Sequence, residues 1–131
     1  MYGFDVSVPG PLEEAIPRVR EALAQEGFGV LFDLDVQAIL KAKLGVDSRP
    51  YRILGACNPS YAHRSLGVDP DIGLLLPCNV VVREEADGRL IVAFMDPDAV
   101  MTLVEHPEIK PIATQVRAAL VKVHDMLGKG T

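Results

Sequence analysis

At 131 residues, 49% of them hydrophobic, the chain is sized for one domain spanning 1–131, large enough to bury about two-thirds of its unfolded surface around a single core. Lys and Arg number 13 against 18 Asp and Glu, and the basic residues are scattered; nucleic-acid affinity needs clustered Lys and Arg, so no nucleic-acid partner is expected. No apolar run nears the roughly 20 residues of a membrane span, and MYGFDVSVPG lacks the basic and apolar regions of a signal peptide, so the expected location is cytoplasmic, with no membrane partner.

Phe4, Val6 and Val8 alternate with polar or small residues, which predicts a first strand ended by Pro9-Gly10-Pro11. Leu12, Ala15, Ile16, Val19, Ala22 and Leu23 recur at helical spacing behind Pro11, with Glu13 and Glu14 in the first turn and Gly27 where a C-terminal cap would sit. Pro17 removes a backbone donor and should kink that helix or mark a late start. Phe28, Val30, Phe32 and Leu34 are expected on one face of a second strand, with Gly29, Leu31 and Asp33 on the other. Asp35 can cap a short helix that Gly45 stops.

Tyr51 to Cys57 reads as a third strand, and Asn58-Pro59 as the start of a helix from Pro59 to Leu66 ending at Gly67. Ile72-Gly73-Leu74-Leu75-Leu76 is too short for a regular helix and too apolar for a free loop. Strands from Cys78 to Glu85 and from Arg89 to Met95 flank Ala86-Asp87-Gly88, the strongest local hairpin signal in the chain. Asp96-Pro97 starts a short helix through Val104. After His106-Pro107 a long helix carries Ile109, Ile112, Ala113, Val116, Leu120, Val123 and Leu127 as one apolar stripe, with Gly128 as its stop. The element order is β-α-β-α-β-α-β-β-α-α. The first turn lacks the glycine-rich phosphate loop of a doubly wound sheet, so the expected fold is α+β, a mainly antiparallel sheet with helices on one face and the long C-terminal helix across it.

Ile53 to Val82 holds both cysteines and both asparagines, each Cys followed directly by Asn. If the third and fourth strands pair antiparallel, the chain leaves at Cys57 and returns at Cys78 on the same sheet end, and the two thiols are neighbours. In a reducing compartment both are expected free. Cys57, one residue ahead of the Asn58 cap, sits near the positive end of a helix dipole, which favours a thiolate; the competing reading is a small buried hydrophobe. A metal site from Cys57, His63 and Cys78 lacks zinc spacing and a fourth ligand, so no metal is assigned. His106 and His124 read as helix residues. Asp35, Asp69 and Asp96 stand at helix or turn starts, where capping explains them. With no nucleophile elbow, P-loop, H-E-x-x-H or dinucleotide fingerprint, the reading leans away from an enzyme, and no cofactor is implied.

Glu26 to Asp35 (EGFGVLFDLD), Leu54 to Pro59 (LGACNP), and Gly73 to Cys78 (GLLLPC) with the following Val80-Val81-Val82 and Asp87-Gly88 occur in one order along the chain. In these motifs the sequence resembles the small bacterial and archaeal proteins grouped as domain of unknown function 302. The resemblance implies a TATA-binding-protein-like α+β architecture. It implies no particular activity, substrate or cofactor, and gives neither thiol a role.

The leading functional expectation is a small-molecule or partner-binding module, assembled as a homodimer, with a ligand-binding locus at Cys57, Asn58, Cys78 and Asn79. The alternatives are a thiol-based redox or metal-handling protein using Cys57 with Cys78, and a purely structural or interaction domain. Leu74, Leu75 and Leu76 are expected to be covered by a second subunit or to close over the pocket; the plainer expectation is that one or two of them plug the core. Two Asn, three Gln and 10 Pro lean towards a heat-adapted source.

Overall fold

The structure is a computed structural model that describes residues 1–129. Five strands form one antiparallel sheet: β1 (Gly3–Val8), β2 (Gly29–Asp35), β3 (Tyr51–Cys57), β4 (Cys78–Glu84) and β5 (Leu90–Met95), in spatial order β1-β5-β4-β3-β2. Five α-helices connect or follow them: α1 (Leu12–Gln25), α2 (Val36–Leu44), α3 (Pro59–Val68), α4 (Pro97–Val100) and α5 (Ile109–Lys129). The expected order of elements holds throughout.

One face of the sheet makes the core. Leu54, Val80, Val82, Val92 and Phe94 alternate inward along their strands and meet Val19 and Leu23 of α1 and Leu120 and Val123 of α5, all essentially without solvent contact. Period-two and period-3.6 apolar patterns meet here, and burying them is the main favourable term of folding. Helix α1 starts at Leu12 and runs through Pro17 without a late start. Gly128 lies inside α5 and does not stop it; a Cβ there would stand 3.4 Å from Val6 Cγ2, so this turn of the helix packs on β1.

The three aspartates at element starts are caps. Asp35 accepts from the Ala38 amide at 2.9 Å, Asp69 from Asp71 at 3.0 Å and Asp96 from Asp98 at 3.0 Å. Helix α3 outlasts Gly67 and ends where Asp69 precedes Pro70, because the residue before proline is driven out of helical geometry. The apolar stretch that follows is a 3-10 helix, Pro70–Leu75, in which Ile72 is buried. The segment from Pro97 similarly divides into the single turn of α4 and a 3-10 turn, Met101–Leu103.

Strand β2 departs from simple alternation. Val30 partners Ala56, but Phe32 rather than Leu31 partners Gly55, so a bulge at Leu31 reverses the faces beyond it. Phe32 and Leu34 therefore lie on the face away from the core, and Asp33 turns inward opposite the fully buried Leu54, the reverse of the sequence expectation for these three. Asp33 is not left bare there. Arg52 Nε donates to its Oδ1 at 2.7 Å, a second Arg52 bond goes to its Oδ2, and Arg20 of α1 approaches at 3.5 Å. These bonds hold the Asp33 carboxyl below the usual carboxylate range. Phe32 lies flat over Gly55, where a Cβ would come within 2.3 Å of its ring.

Candidate functional site

Strands β3 and β4 bring their ends together as expected. Ala56 partners Cys78 and Cys57 partners Gly29, so the two cysteines stand at the same sheet end, offset by one residue. Strand alternation aims the Ala56 side chain, not that of Cys57, towards the face that Cys78 occupies. Both thiols are free; Cys78 is buried and Cys57 half-buried. Burial pushes the Cys78 thiol up to about 11, and the neighbouring Cys57 adds to the shift, so Cys78 is a neutral thiol at pH 7.

Asn58 caps α3. Its Oδ1 accepts from the amides of Ser60 at 3.1 Å and Tyr61 at 3.4 Å, and its Nδ2 donates to the Glu26 carbonyl at 3.4 Å. The last bond ties the helix to the turn after α1, where Gly27 has φ +83° and a Cβ would sit 2.8 Å from Asn58 Nδ2. The α3 amides that could have held an anion are thus taken by the cap side chain. What Asn58 contributes is the position of a wall.

That wall belongs to a cavity of about 40 Å³ at the end of the core. Cys57, Asn58 and Cys78 line it, together with Phe28 and Ala56 of the sheet end, Tyr61 and Ser65 of α3, and Leu76 and Pro77 ahead of β4. Met101 forms part of the far side with Ile112, Ala113 and Val116 of α5. The lining is mainly apolar. At roughly 10–15 Å³ for each water centre the cavity has room for about three waters, or for one small apolar group.

Asn79 is not part of it. It follows the inward Cys78 on β4, is exposed, and lies on the opposite face beside Val81 and Arg83. The four residues singled out in the sequence therefore divide three and one: alternation within β4 turns Asn79 away from Cys78, whereas Cys57, the last residue of β3, borders the cavity from the strand end beside Asn58. His63 is exposed on α3 and does not line the cavity. His106 is also exposed, 3.8 Å from Asp69, and His124 Nε2 lies 2.7 Å from the Asp5 carbonyl. Among the described residues no group of three or more His, Cys, Asp or Glu forms a metal-binding set. Of the leucines, Leu76 lines the cavity and Leu75 is half-buried, while Leu74 is 86% exposed.

Tyr61, Ala62, Ser65 and Met101 are lining residues that sequence reasoning passed over. None of them lies in a motif. Ile112, Ala113 and Val116 were visible only as core stripe, since periodicity marks the buried face and not the gap left in it.

The sequence profile of Domain of unknown function DUF302 matches residues 4–127, nearly the whole chain. The chain belongs to the DUF302 family. It is similar to a DUF302 protein of known crystal structure, an uncharacterised conserved protein from Bacillus stearothermophilus, at 35% identity and a TM-score of 0.90, covering 97% of this chain and 98% of that one. No curated protein matches the chain. The family has no established function, and membership leaves the cavity's role to be argued from its chemistry.

Proposed function

We propose that this DUF302 protein is a cytoplasmic binding module that takes the apolar or sulfur-seeking end of a small molecule into the cavity bounded by Cys57, Asn58 and Cys78. The observation that carries the reading is the coincidence of the chain's only two thiols with a mainly apolar cavity at the end of the core. Native interiors hold few such gaps, and filling one with a larger residue would be the easy evolutionary repair. Met101, flexible and polarisable, is the wall residue suited to make room for a ligand larger than the present volume.

A thiol-pair reading is favoured by one observation, the shared sheet end of Cys57 and Cys78. Two others weigh against it: the one-residue offset, and the neutral state of Cys78, since the thiolate is the nucleophile.

Alkylation kinetics of the two thiols across pH 6 to 9 separate the readings, measured with and without small apolar probes of benzene to indole size and with and without a mild oxidant. The binding reading expects Cys57 to react with iodoacetamide in the native protein, Cys78 to react only in denaturant, and a bound probe to slow Cys57. Joint disappearance of both thiols under oxidant, with formation of an internal disulfide, would favour the redox reading. Rates indifferent to every probe would leave a structural domain.

A further inference from the structure

The sheet has a second apolar face. Away from the helices α1 and α5, one register row crosses all five strands as Asp5, Ala93, Val81, Ile53 and Leu34, four of them apolar. Met95 and Phe32 lie in the row to one side of it. An antiparallel sheet whose outer face meets water alternates apolar inward with polar outward, and here both faces are apolar. Over β1, β5 and β4 the outer face sinks into a broad depression of about 490 Å³ walled by Tyr2, Asn79 and Arg83.

We propose that this outer face seats a second copy of the chain, packed sheet against sheet about a two-fold axis. Size supports it. Five strands about 4.8 Å apart and some six residues long at about 3.3 Å each present a face of roughly 20 by 20 Å. That is about 400 Å² in projection, and the rim of Tyr2, Asn79 and Arg83 extends it towards the roughly 800 Å² per partner of a standard stable interface.

Charge supports the same occupant. Of the two charged strand residues on this face, Arg83 is already paired with Glu85 at 3.0 Å, which leaves Asp5 on the edge strand β1; the centre of the face, where two copies of a chain with net charge −5 would meet, carries no like charges. A nucleic acid or a strongly charged protein would find no complementary field. Gly3, Gly55 and Ala93 keep the relief low, which suits the roughly 10 Å spacing of stacked sheets, and a two-fold contact needs only that the face complement itself.

Sedimentation velocity on the full chain tests the proposal from about 1 to about 100 µM, a range in which a standard-size interface is populated. The wild type is expected to be dimeric. Val81→Arg is expected to raise the apparent dissociation constant at least about a hundredfold, because two like charges meet at the centre of the contact. Asn79→Arg, at a position already exposed and so safe for folding, is expected to weaken the dimer in the same direction, with far-UV circular dichroism unchanged. Leu74→Asp, which alters an exposed leucine elsewhere, is expected to stay dimeric. A wild type monomeric throughout the range would overturn the proposal. So would folded Val81→Arg and Asn79→Arg variants that remain dimers, or dissociation by Leu74→Asp equal to that by Val81→Arg.

Discussion

Asn58 does several things with one side chain. Two orphan amides of α3 are satisfied through Oδ1, and Nδ2 reaches across to the Glu26 carbonyl, so the cap fixes α3 relative to the turn between α1 and β2. Replacing Asn58 with Ala should cost about 1 kcal/mol in urea denaturation, the usual loss for a missing cap. The same substitution should also loosen the Gly27 turn, seen as faster amide exchange at Gly27 and Phe28. A stability loss with no change at that turn would show that the Glu26 bond is unimportant. Cys78 follows Pro77, precedes the polar Asn79 and lies near the Cys57 thiol, yet burial is the main cause that keeps it protonated, with Cys57 adding to the shift.

At the scale of elements, most boundaries were legible because each is written in local chemistry. Asp35, Asn58 and Asp96 cap, Gly45 stops α2 with φ +69°, and Gly88 turns the hairpin with φ +87°. What failed were places where tertiary contact overrode the local signal. Gly128 has the form of a helix stop but lies inside α5, where the helix packs on β1. In β2 the pattern Val30, Phe32, Leu34 was sound as periodicity, but periodicity cannot report an inserted residue, and the Leu31 bulge sends Phe32 and Leu34 outward and Asp33 inward.

The Asp33–Arg52 pair then stabilises that bulged register, which gives a pH signature. The folded pKa of Asp33 is depressed below its unfolded value of about 3.9. Its contribution is therefore present in full above about pH 4 and is lost as pH falls through the lower folded value. Asp33→Asn should be less stable than wild type at pH 7, with the difference narrowing below about pH 4 in parallel denaturation curves. A difference that stays constant down to pH 2 would place the effect in packing and not in the ion pair.

At the scale of the whole molecule, the antiparallel sheet, the single core and the meeting of Cys57 with Cys78 at one sheet end all followed from reading strands and caps in order. The candidate site was legible only in part. Cysteine, asparagine and cysteine marked three walls of the cavity because unusual residues stand out in a sequence. The remaining walls are ordinary apolar residues from α5 and the turn at Met101, and a void between them is a property of packing that no local pattern encodes. Asn79 was grouped with the others by proximity in sequence, and the two-residue period of β4 separates it.

A binding role for the cavity requires that it accept an apolar guest. Xenon under pressure is the most direct probe, since it needs no knowledge of the natural ligand and enters apolar cavities that stay dry. A crystal pressurised with xenon is expected to show density bounded by Cys57, Cys78, Met101 and Ile112. Placing Phe at Ala113, on the cavity wall, should abolish that density while leaving the fold intact. Xenon absent from this cavity in the wild type, or bound equally well after Ala113→Phe, would rule out the binding role.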